Sequence, residues 1–198
     1  MPLRTTQKSI LTGTGVFAWL IVVGFGFWTL TARSFVPGNS GSPKSDWPEA
    51  SGLQRNSGGF TLVVALHPEC PCSQATLEEL DSIVTQCSNQ LSVRVICMPY
   101  DDLAEPVERS RIWLRAKRIS GITVIRDSLG AEVRRFDART SGETRLYGPE
   151  GELLFHGGIT ASRGHVGENR GQSAIINFVA HGARAGEPVV TPVFGCSF

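Results

Sequence analysis

A stretch of 24 residues without a charged side chain, Ser9–Ala32, constrains the fold of this 198-residue chain more than any other feature. At about 1.5 Å per residue it would form about 36 Å of helix, enough to cross a hydrocarbon core of ~30 Å. A cleaved signal peptide is the rival interpretation, but its apolar core is usually only about 7–15 residues long, and Leu30-Thr31-Ala32 is a poor cleavage site. We therefore expect an uncleaved transmembrane helix over residues 9–32, after a short basic head over residues 1–8.

The charges around this helix predict its orientation only weakly. Arg4 and Lys8 favour a cytoplasmic amino terminus, but Arg33 and Lys44 follow the helix closely. A short basic head before a large domain is typical of a single-pass protein whose body lies outside the cytoplasm. We therefore expect membrane association through residues 9–32 and a globular domain on the extracytoplasmic, periplasmic side.

The rest of the chain divides by composition into three segments. Residues 33–59 are rich in Pro, Gly and Ser, which predicts a flexible linker. Residues 60–185 alternate apolar β-rich runs with helical periodicity, which predicts one globular domain, and residues 186–198 form a tail that carries Cys196. The formal net charge of +1 argues against nucleic acid as the main partner, and the sequence leaves the oligomeric state open.

Strands and helices alternate along the predicted domain. Their order is β-α-β-α-β, followed by a β-hairpin and a final helix. The predicted elements cover residues 60–66, a helix from a cap at 73 to 87, then 91–98, about 103–117, 122–126, a hairpin of 144–147 with 152–155, and 169–181. This alternation predicts a parallel sheet with helices on its faces, and the hairpin adds antiparallel strands at one end.

A cysteine-bearing turn, Leu66-His-Pro-Glu-Cys-Pro-Cys-Ser73, joins the first predicted strand to the first helix. This turn, in this order of elements, resembles the thioredoxin-like superfamily, and the segment 122–155 is similar to the strand, short helix and hairpin of its extracytoplasmic members. The resemblance implies a three-layer α/β fold, with a mixed central sheet, and thiol–disulfide exchange at the turn. Among narrower groups, the turn, the Gly-Gly-Ile-Thr…Arg-Gly-His segment and the Pro-Val-Phe-Gly-Cys tail are most similar to the RedB family.

The sequence departs from the superfamily pattern at two positions. The usual cysteine pair has two intervening residues, whereas only Pro71 separates Cys70 from Cys72. Gly142 stands where members of the superfamily have the cis-proline that shapes the substrate-docking backbone. The resemblance thus implies a docking position at Gly142, with a backbone that differs from that of thioredoxins.

The position of Cys72 at the predicted helix start favours the thiolate, because unsatisfied amide N–H groups and the positive end of the helix dipole lie there. His67 would act in the same direction when protonated, whereas Glu69 opposes it. A disulfide between Cys70 and Cys72 would be strained and therefore labile, which suits exchange. We predict Cys72 as the nucleophile and Cys70 as the resolving thiol, with protein or small-molecule thiols and disulfides as partners and with no cofactor.

Metal binding is the alternative that the same cysteines support. Two thiolates one residue apart suit Cu(I) or Zn²⁺ by their softness, so that copper or zinc would be the bound metal. His165 and Cys196 are the candidates for the remaining ligands beside Cys70 and Cys72. A third interpretation keeps the fold as a non-catalytic interaction domain.

Two further segments are candidates for the site. The glycine-rich segment 157–171 contains Arg163 and His165, which we consider for substrate docking, although a plain solvated connection explains the segment equally well. The tail carries three apolar residues near Cys196, which predicts that it docks, and we consider Cys196 a third exchange partner. Cys87 and Cys97 are predicted to be core residues.

Overall fold

The computed structural model describes residues 3–87, 90–99, 106–182 and 186–198 of the chain. It contains two compact units, with the boundary after residue 36. The first unit contains the helix α1 (Leu3–Ser34), within which Gly13–Ser34 is long and apolar enough to span a membrane. The large apolar side chains of that segment are exposed. The predicted apolar helix is thus present, with a few more residues at each end.

The second unit is built on a sheet with helices on its faces. Its elements in chain order are β1 (Phe60–Leu66), α2 (Cys72–Cys87), β2 (Leu91–Cys97), α3 (Arg111–Ala116), β3 (Ile122–Arg126), α4 (Ala131–Arg135), β4 (Glu143–Tyr147), β5 (Leu153–Gly157), α5 (Arg170–His181) and β6 (Val189–Val190).

The strands lie in the order β3-β2-β1-β4-β5-β6. β1 is parallel to β2, and β2 is parallel to β3, because each pair is joined by a helical crossover. β4 runs antiparallel to β1 and to β5, which is the predicted hairpin. A β-α-β unit whose first strand pairs with a following hairpin, with a last helix after it, is the arrangement of the thioredoxin-like fold. The predicted three-layer α/β fold is therefore confirmed.

Side-chain alternation along β1 builds a core on each face of the sheet. Leu62 and Val64 belong to the core that α2, α3 and α5 cover. Val63 belongs to the opposite core, where Val133 of α4 and Trp47 pack. Because every residue of β1 is buried, the cysteine turn that follows it starts from the centre of the domain.

Residues 37–59 contain no helix or strand, as their composition predicts, but they are not the flexible linker that we expected. Trp47 packs edge-on against Phe136 and against Tyr147, with ring centroids 5.1 Å apart in each pair. Its backbone N–H donates to the Gly151 carbonyl over 2.8 Å. These contacts join the segment to the sheet, so the globular unit begins at residue 37 rather than at residue 60.

The helix predicted at about 103–117 is also different in the structure. Residues 103–105 lie outside the described part of the chain, and a 3-10 turn (Val107–Arg109) followed by α3 replaces the rest. The two are separate because Ser110 is extended and its hydroxyl accepts the Trp113 N–H over 3.2 Å, which starts a new helix. Leu114 of α3 is exposed.

Candidate active site

The segment Cys70-Pro71-Cys72 lies between the carboxyl end of β1 and the start of α2. Two backbone hydrogen bonds shape this turn: the Cys70 N–H donates to the His67 carbonyl (3.3 Å), and the Ser73 N–H donates to the Cys70 carbonyl (3.0 Å). Because α2 begins at Cys72, Ser73 lies inside its first turn rather than at the cap that we predicted. The Ser73 hydroxyl donates to the His67 carbonyl over 2.9 Å and so holds the helix start against the end of β1.

Ser141, in the loop before β4, connects three parts of the site. Its hydroxyl accepts the His67 backbone N–H and shares a hydrogen bond with the Ser73 hydroxyl, each over 2.9 Å. Its own N–H donates to the Cys196 carbonyl over 2.8 Å. The loop before β4 therefore contacts both the cysteine turn and the tail.

The tail, residues 186–198, lies along this loop. Thr140 and Ser197 form an antiparallel bridge. Nη1 of Arg163 donates to the Gly195 carbonyl over 2.7 Å. A Cβ on Gly195 would overlap the Ser141 carbonyl oxygen, so the two backbones approach as closely as a glycine allows. The tail thus docks beside the cysteine turn and brings Cys196 to it.

Three free thiols meet at this point. The Cys196 N–H donates to the sulfur of Cys70 over 3.4 Å. The interaction of that sulfur with the Cys72 thiol has the largest effect on the pKa of Cys70, which it lowers. Burial raises this pKa, and the thiol and amide of Cys196 and the amide of Cys72 lower it again, to about 4.

The same interactions raise the pKa of the thiols that neighbour Cys70. The bond to Cys70 raises the pKa of Cys72, and burial adds to this effect. Burial and then the bond to Cys70 raise the pKa of Cys196 to about 11, while the positive charge of Arg163 opposes them. The favoured state of the cluster near neutral pH is therefore one thiolate, at Cys70, with two protonated neighbours.

The direction of these pKa shifts favours Cys70 as the thiolate, whereas the sequence favoured Cys72. We predicted Cys72 as the nucleophile because it starts the helix. Cys70 immediately precedes the turn into α2, and the Cys72 amide contributes to the lowering of its pKa. A helix start can therefore stabilise a thiolate on the residue before the helix as well as on its first residue.

His67 is buried, and its Nδ1 accepts the Glu69 N–H over 3.2 Å. Burial lowers the pKa of His67, although the charges of Cys70 and Glu69 offset part of this effect. The neutral imidazole is therefore favoured near neutral pH, and it does not supply the positive charge that we considered. The contribution of His67 to the site is its backbone, whose N–H and carbonyl hold Ser141 and Ser73.

The predicted docking residues Gly142 and Arg163 lie at the site. Gly142 has a φ of 92°, and a Cβ there would come within 3.0 Å of Thr76 Oγ1, so both the backbone conformation and the space favour glycine. Arg163 holds the tail through Gly195. His165 is exposed, and its Nδ1 lies 2.9 Å from the Arg163 carbonyl oxygen rather than against a cysteine.

Within the described residues, no group of three or more His, Cys, Asp and Glu side chains is arranged so that it could hold a metal ion. The structure brings Cys70, Cys72 and Cys196 together, but His165 bonds to backbone instead of joining them. His165 therefore lies apart from the three cysteines that we considered with it.

Sequence reasoning missed two side chains that shape the site, Ser141 and Glu143. Glu143 is fully buried and pairs with Arg145, with 2.9 Å between Oε1 and Nη2. Its other oxygen accepts the Arg139 N–H over 2.7 Å, which fixes the loop along which the tail lies. The signal that would have found both residues is their position on either side of Gly142.

The sheet order, the cysteine turn between β1 and α2, and the loop before β4 together define a thioredoxin-like fold.

Two solved structures share this fold over most of the chain. A hypothetical protein from Sinorhizobium meliloti 1021 is 19% identical, with 80% of this chain and 95% of that chain covered and a TM-score of 0.64. An uncharacterized conserved protein from Geobacillus kaustophilus is 16% identical, with 82% and 91% covered and a TM-score of 0.56. The pneumococcal exposed lipoprotein thioredoxin from Streptococcus pneumoniae strain TIGR4 is 16% identical, with 63% and 85% covered and a TM-score of 0.44. No family model and no curated protein matches the sequence.

Proposed function

We propose that this protein is a thiol–disulfide oxidoreductase that acts through the thiolate of Cys70. The observation that supports this most directly is the hydrogen bond that the Cys196 amide donates to the Cys70 sulfur over 3.4 Å, beside which the Cys72 thiol lowers the pKa of Cys70 further. A lowered pKa keeps a thiol ionised, and therefore nucleophilic, near neutral pH. Cys87 and Cys97 differ from it, since both are buried in the core and burial raises the pKa of each.

Exchange begins when the Cys70 thiolate attacks a disulfide of a partner protein or small molecule. A mixed disulfide forms, the other partner sulfur leaves as a thiolate, and a protonated thiol of the cluster gives it a proton. A second cysteine sulfur then attacks Cys70 and releases the partner, which has gained the two electrons that the cluster has lost. The direction of exchange depends on the reduction potentials of the protein's cysteine pair and of the partner's thiol pair.

The test uses the full chain in detergent, equilibrated in glutathione buffers of graded potential, trapped by alkylation and mapped by mass spectrometry. We expect one reversible two-electron step that includes Cys70, and its loss in Cys70→Ser. Cys87→Ala is the matched control, because it removes a thiol about 22 Å along α2 from Cys72 at 1.5 Å per residue. No reversible step in the wild-type chain would contradict the proposal.

The same samples decide between exchange and metal delivery. Cu(I) or Zn²⁺ is added at one equivalent before trapping, and the metal that remains bound after gel filtration is measured. Stoichiometric retention with protection of Cys70, Cys72 and Cys196, but no two-electron step, would favour the delivery protein. If neither result is obtained, a non-catalytic interaction domain is favoured.

We also propose that α1 anchors the domain to a membrane and that the domain acts on the extracytoplasmic side. The length and apolar character of Gly13–Ser34 support the anchor. The proposal predicts that the chain stays in the membrane fraction after an alkaline carbonate wash. It also predicts that protease added to spheroplasts removes the domain, whereas protection until lysis would place the domain in the cytoplasm.

Membership of the RedB family is a narrower proposal. The sequence segments that support it are the cysteine turn, the glycine-rich segment and the tail, and these three meet at the site through Arg163, Gly195 and Cys196. An exchange-active Cys70 whose activity depends on Arg163 is the result that we expect if the segments form one functional unit. Arg163→Gln, compared with wild type in the trapping experiment, measures that dependence.

A further inference from the structure

We propose that Cys196 is the resolving thiol, so that the oxidised protein carries a Cys70–Cys196 disulfide rather than a Cys70–Cys72 disulfide. This inference rests on the proposed exchange function and deepens it, because it names the second sulfur. Cys196 is 126 residues from Cys70 in sequence, yet its amide N–H donates to the Cys70 sulfur over 3.4 Å. Only the tertiary structure brings the two together.

The tail holds Cys196 at this position from several directions. The Ser141 N–H binds the Cys196 carbonyl over 2.8 Å, and Arg163 binds the carbonyl of the preceding glycine. Val193 and Phe194, with 0% and 6% of their surfaces exposed, anchor the tail in the interior. Cys196 is therefore fixed beside Cys70 by its own backbone and by its neighbours.

Cys72 is the poorer resolving thiol on geometric grounds. Only Pro71 lies between it and Cys70, so a disulfide would close a small ring around a residue whose φ is locked. Cys72 is also the first residue of α2, and a change in its backbone would disturb the helix start. Cys196 comes from a separate segment, and a bond from it to Cys70 closes no such ring. Cys72 then keeps its role as a hydrogen-bond donor to Cys70.

The electrons and protons balance without a further reactant. After Cys70 has formed the mixed disulfide, Cys196 gives its proton to the thiolate that has left and attacks the Cys70 sulfur. The bond between the Cys70 sulfur and the partner breaks, and the second partner sulfur leaves as a thiolate. The protein is then oxidised, with a disulfide between Cys70 and Cys196. The partner disulfide has been reduced by the two electrons of this pair.

The acidity of the two thiols determines the return step. The pKa of Cys70 is lower than that of Cys196, so the Cys70 thiolate is the better leaving group. A dithiol reductant would therefore attack the Cys196 sulfur and expel Cys70 as the thiolate. Its second thiol then attacks the new mixed disulfide, which restores Cys196 and leaves the reductant as a disulfide.

Tryptic mapping of the oxidised full chain in detergent tests the inference directly. The sequence places Cys70 in peptide 56–94 and Cys196 in peptide 185–198. A Cys70–Cys196 disulfide joins these two peptides until a reductant is added, whereas a Cys70–Cys72 disulfide leaves them separate and lowers the mass of 56–94 by two hydrogens. We expect the joined pair in the wild type.

Variants assign the sulfurs and separate this inference from the proposed function. Cys72→Ser and Cys87→Ala should retain the joined peptides, and Cys70→Ser and Cys196→Ser should lose them. In Cys196→Ser, the mixed disulfide between Cys70 and a disulfide-containing probe peptide should accumulate. A disulfide found only within 56–94 would overturn the inference and leave exchange at Cys70 standing, whereas the absence of any reversible disulfide would overturn both.

Gly195→Val offers a second test in which every cysteine is retained. Because a Cβ at this position would overlap the Ser141 carbonyl oxygen, the variant should displace the tail and lose the joined peptides. Gly186→Ala is the matched control, since a Cβ there meets nothing within 4 Å, and it should behave as the wild type. Equal yields of the joined peptides in the two variants would contradict the role that we give to the docked tail.

Discussion

The ionisation of Cys70 depends on other cysteines rather than on a cationic side chain. Cys72 and Cys196 donate to its sulfur, while the nearby His67 is favoured in its neutral form by burial. A hydrogen bond to the charged form of an acid lowers its pKa, and a donor loses acidity for the same reason. At the scale of single residues, the site therefore concentrates one negative charge on one sulfur.

The pH dependence of Cys70 alkylation tests this distribution. Since the pKa is lowered to about 4, the thiolate is present above that pH and is lost as the pH falls through it. We expect the alkylation rate of Cys70 by iodoacetamide, located by fragment-ion mass spectrometry, to change little between pH 8 and about pH 5 and to fall below that. An ordinary thiol, with a pKa of about 8.5, would slow about tenfold per unit over the upper part of this range.

Cys72→Ala is the informative variant for the same measurement. It removes the donor that lowers the pKa of Cys70 most, so the fall in alkylation rate should move to higher pH. Cys87 serves as an internal reference, because burial raises its pKa and it should stay unmodified in the folded chain. An unchanged profile in Cys72→Ala would show that the hydrogen bond does not control the ionisation.

At the scale of elements, the site forms where the start of α2, the loop before β4 and the tail come together. The loop is held by Glu143, whose carboxylate binds Arg145 on one side and the backbone N–H groups of Arg139 and Thr140 on the other. A buried carboxylate with these partners is fully satisfied, so removing its charge would leave Arg145 buried and unpaired. The loop, and the tail that pairs with it, thus depend on one buried ion pair.

Glu143→Gln should destabilise the globular unit by about 3 kcal/mol, the lower end for a broken buried pair, because the amide oxygen still accepts one backbone N–H. The urea midpoint, measured by pulse proteolysis of the full chain, reports this change. Glu78→Gln removes a partner of Arg115 at the surface and should cost less than ~1 kcal/mol. Equal effects of the two substitutions would mean that the buried pair does not support the loop.

At the scale of the whole globular unit, the two faces of the sheet are covered by different means. α2, α3 and α5 cover one face, while the short α4 and the irregular segment 37–59 cover the other. Trp47 fills the space between Phe136 and Tyr147 on this second face. The segment before β1 is therefore part of the core rather than a spacer.

Trp47→Ala measures how much this segment contributes. We expect a loss of about 2 kcal/mol, less than for a fully buried tryptophan because Trp47 is partly exposed. Hydrogen exchange of the β4 amides should accelerate together with the fall in the urea midpoint. Leu129→Ala, at an 80% exposed position, is the control and should change neither. If Trp47→Ala changed neither the urea midpoint nor the hydrogen exchange of β4, residues 37–59 would be a linker rather than part of the core.

Local sequence patterns were sufficient to predict most of the strands and helices. The apolar run of β1, the three-and-four spacing of α2 and the hairpin turn each report on neighbouring residues, and each element is present. The helix predicted at 103–117 was wrong in part because Ser110 competes for a backbone N–H and starts α3. The predicted linker was wrong because composition describes the segment and not the aromatic cleft that receives Trp47.

The apolar helix, the order of strands and helices, and the cysteines at the turn between β1 and α2 could all be predicted from the sequence. These follow from periodicity and composition, which are local properties of the chain. The surroundings of the Cys70 sulfur follow from the tertiary structure alone, since its hydrogen-bond donor is the amide of a residue 126 positions away. The tertiary structure also decided that the tail belongs to the site, because the backbone pairing that holds Cys196 against Ser141 leaves no trace in the spacing of residues along the chain.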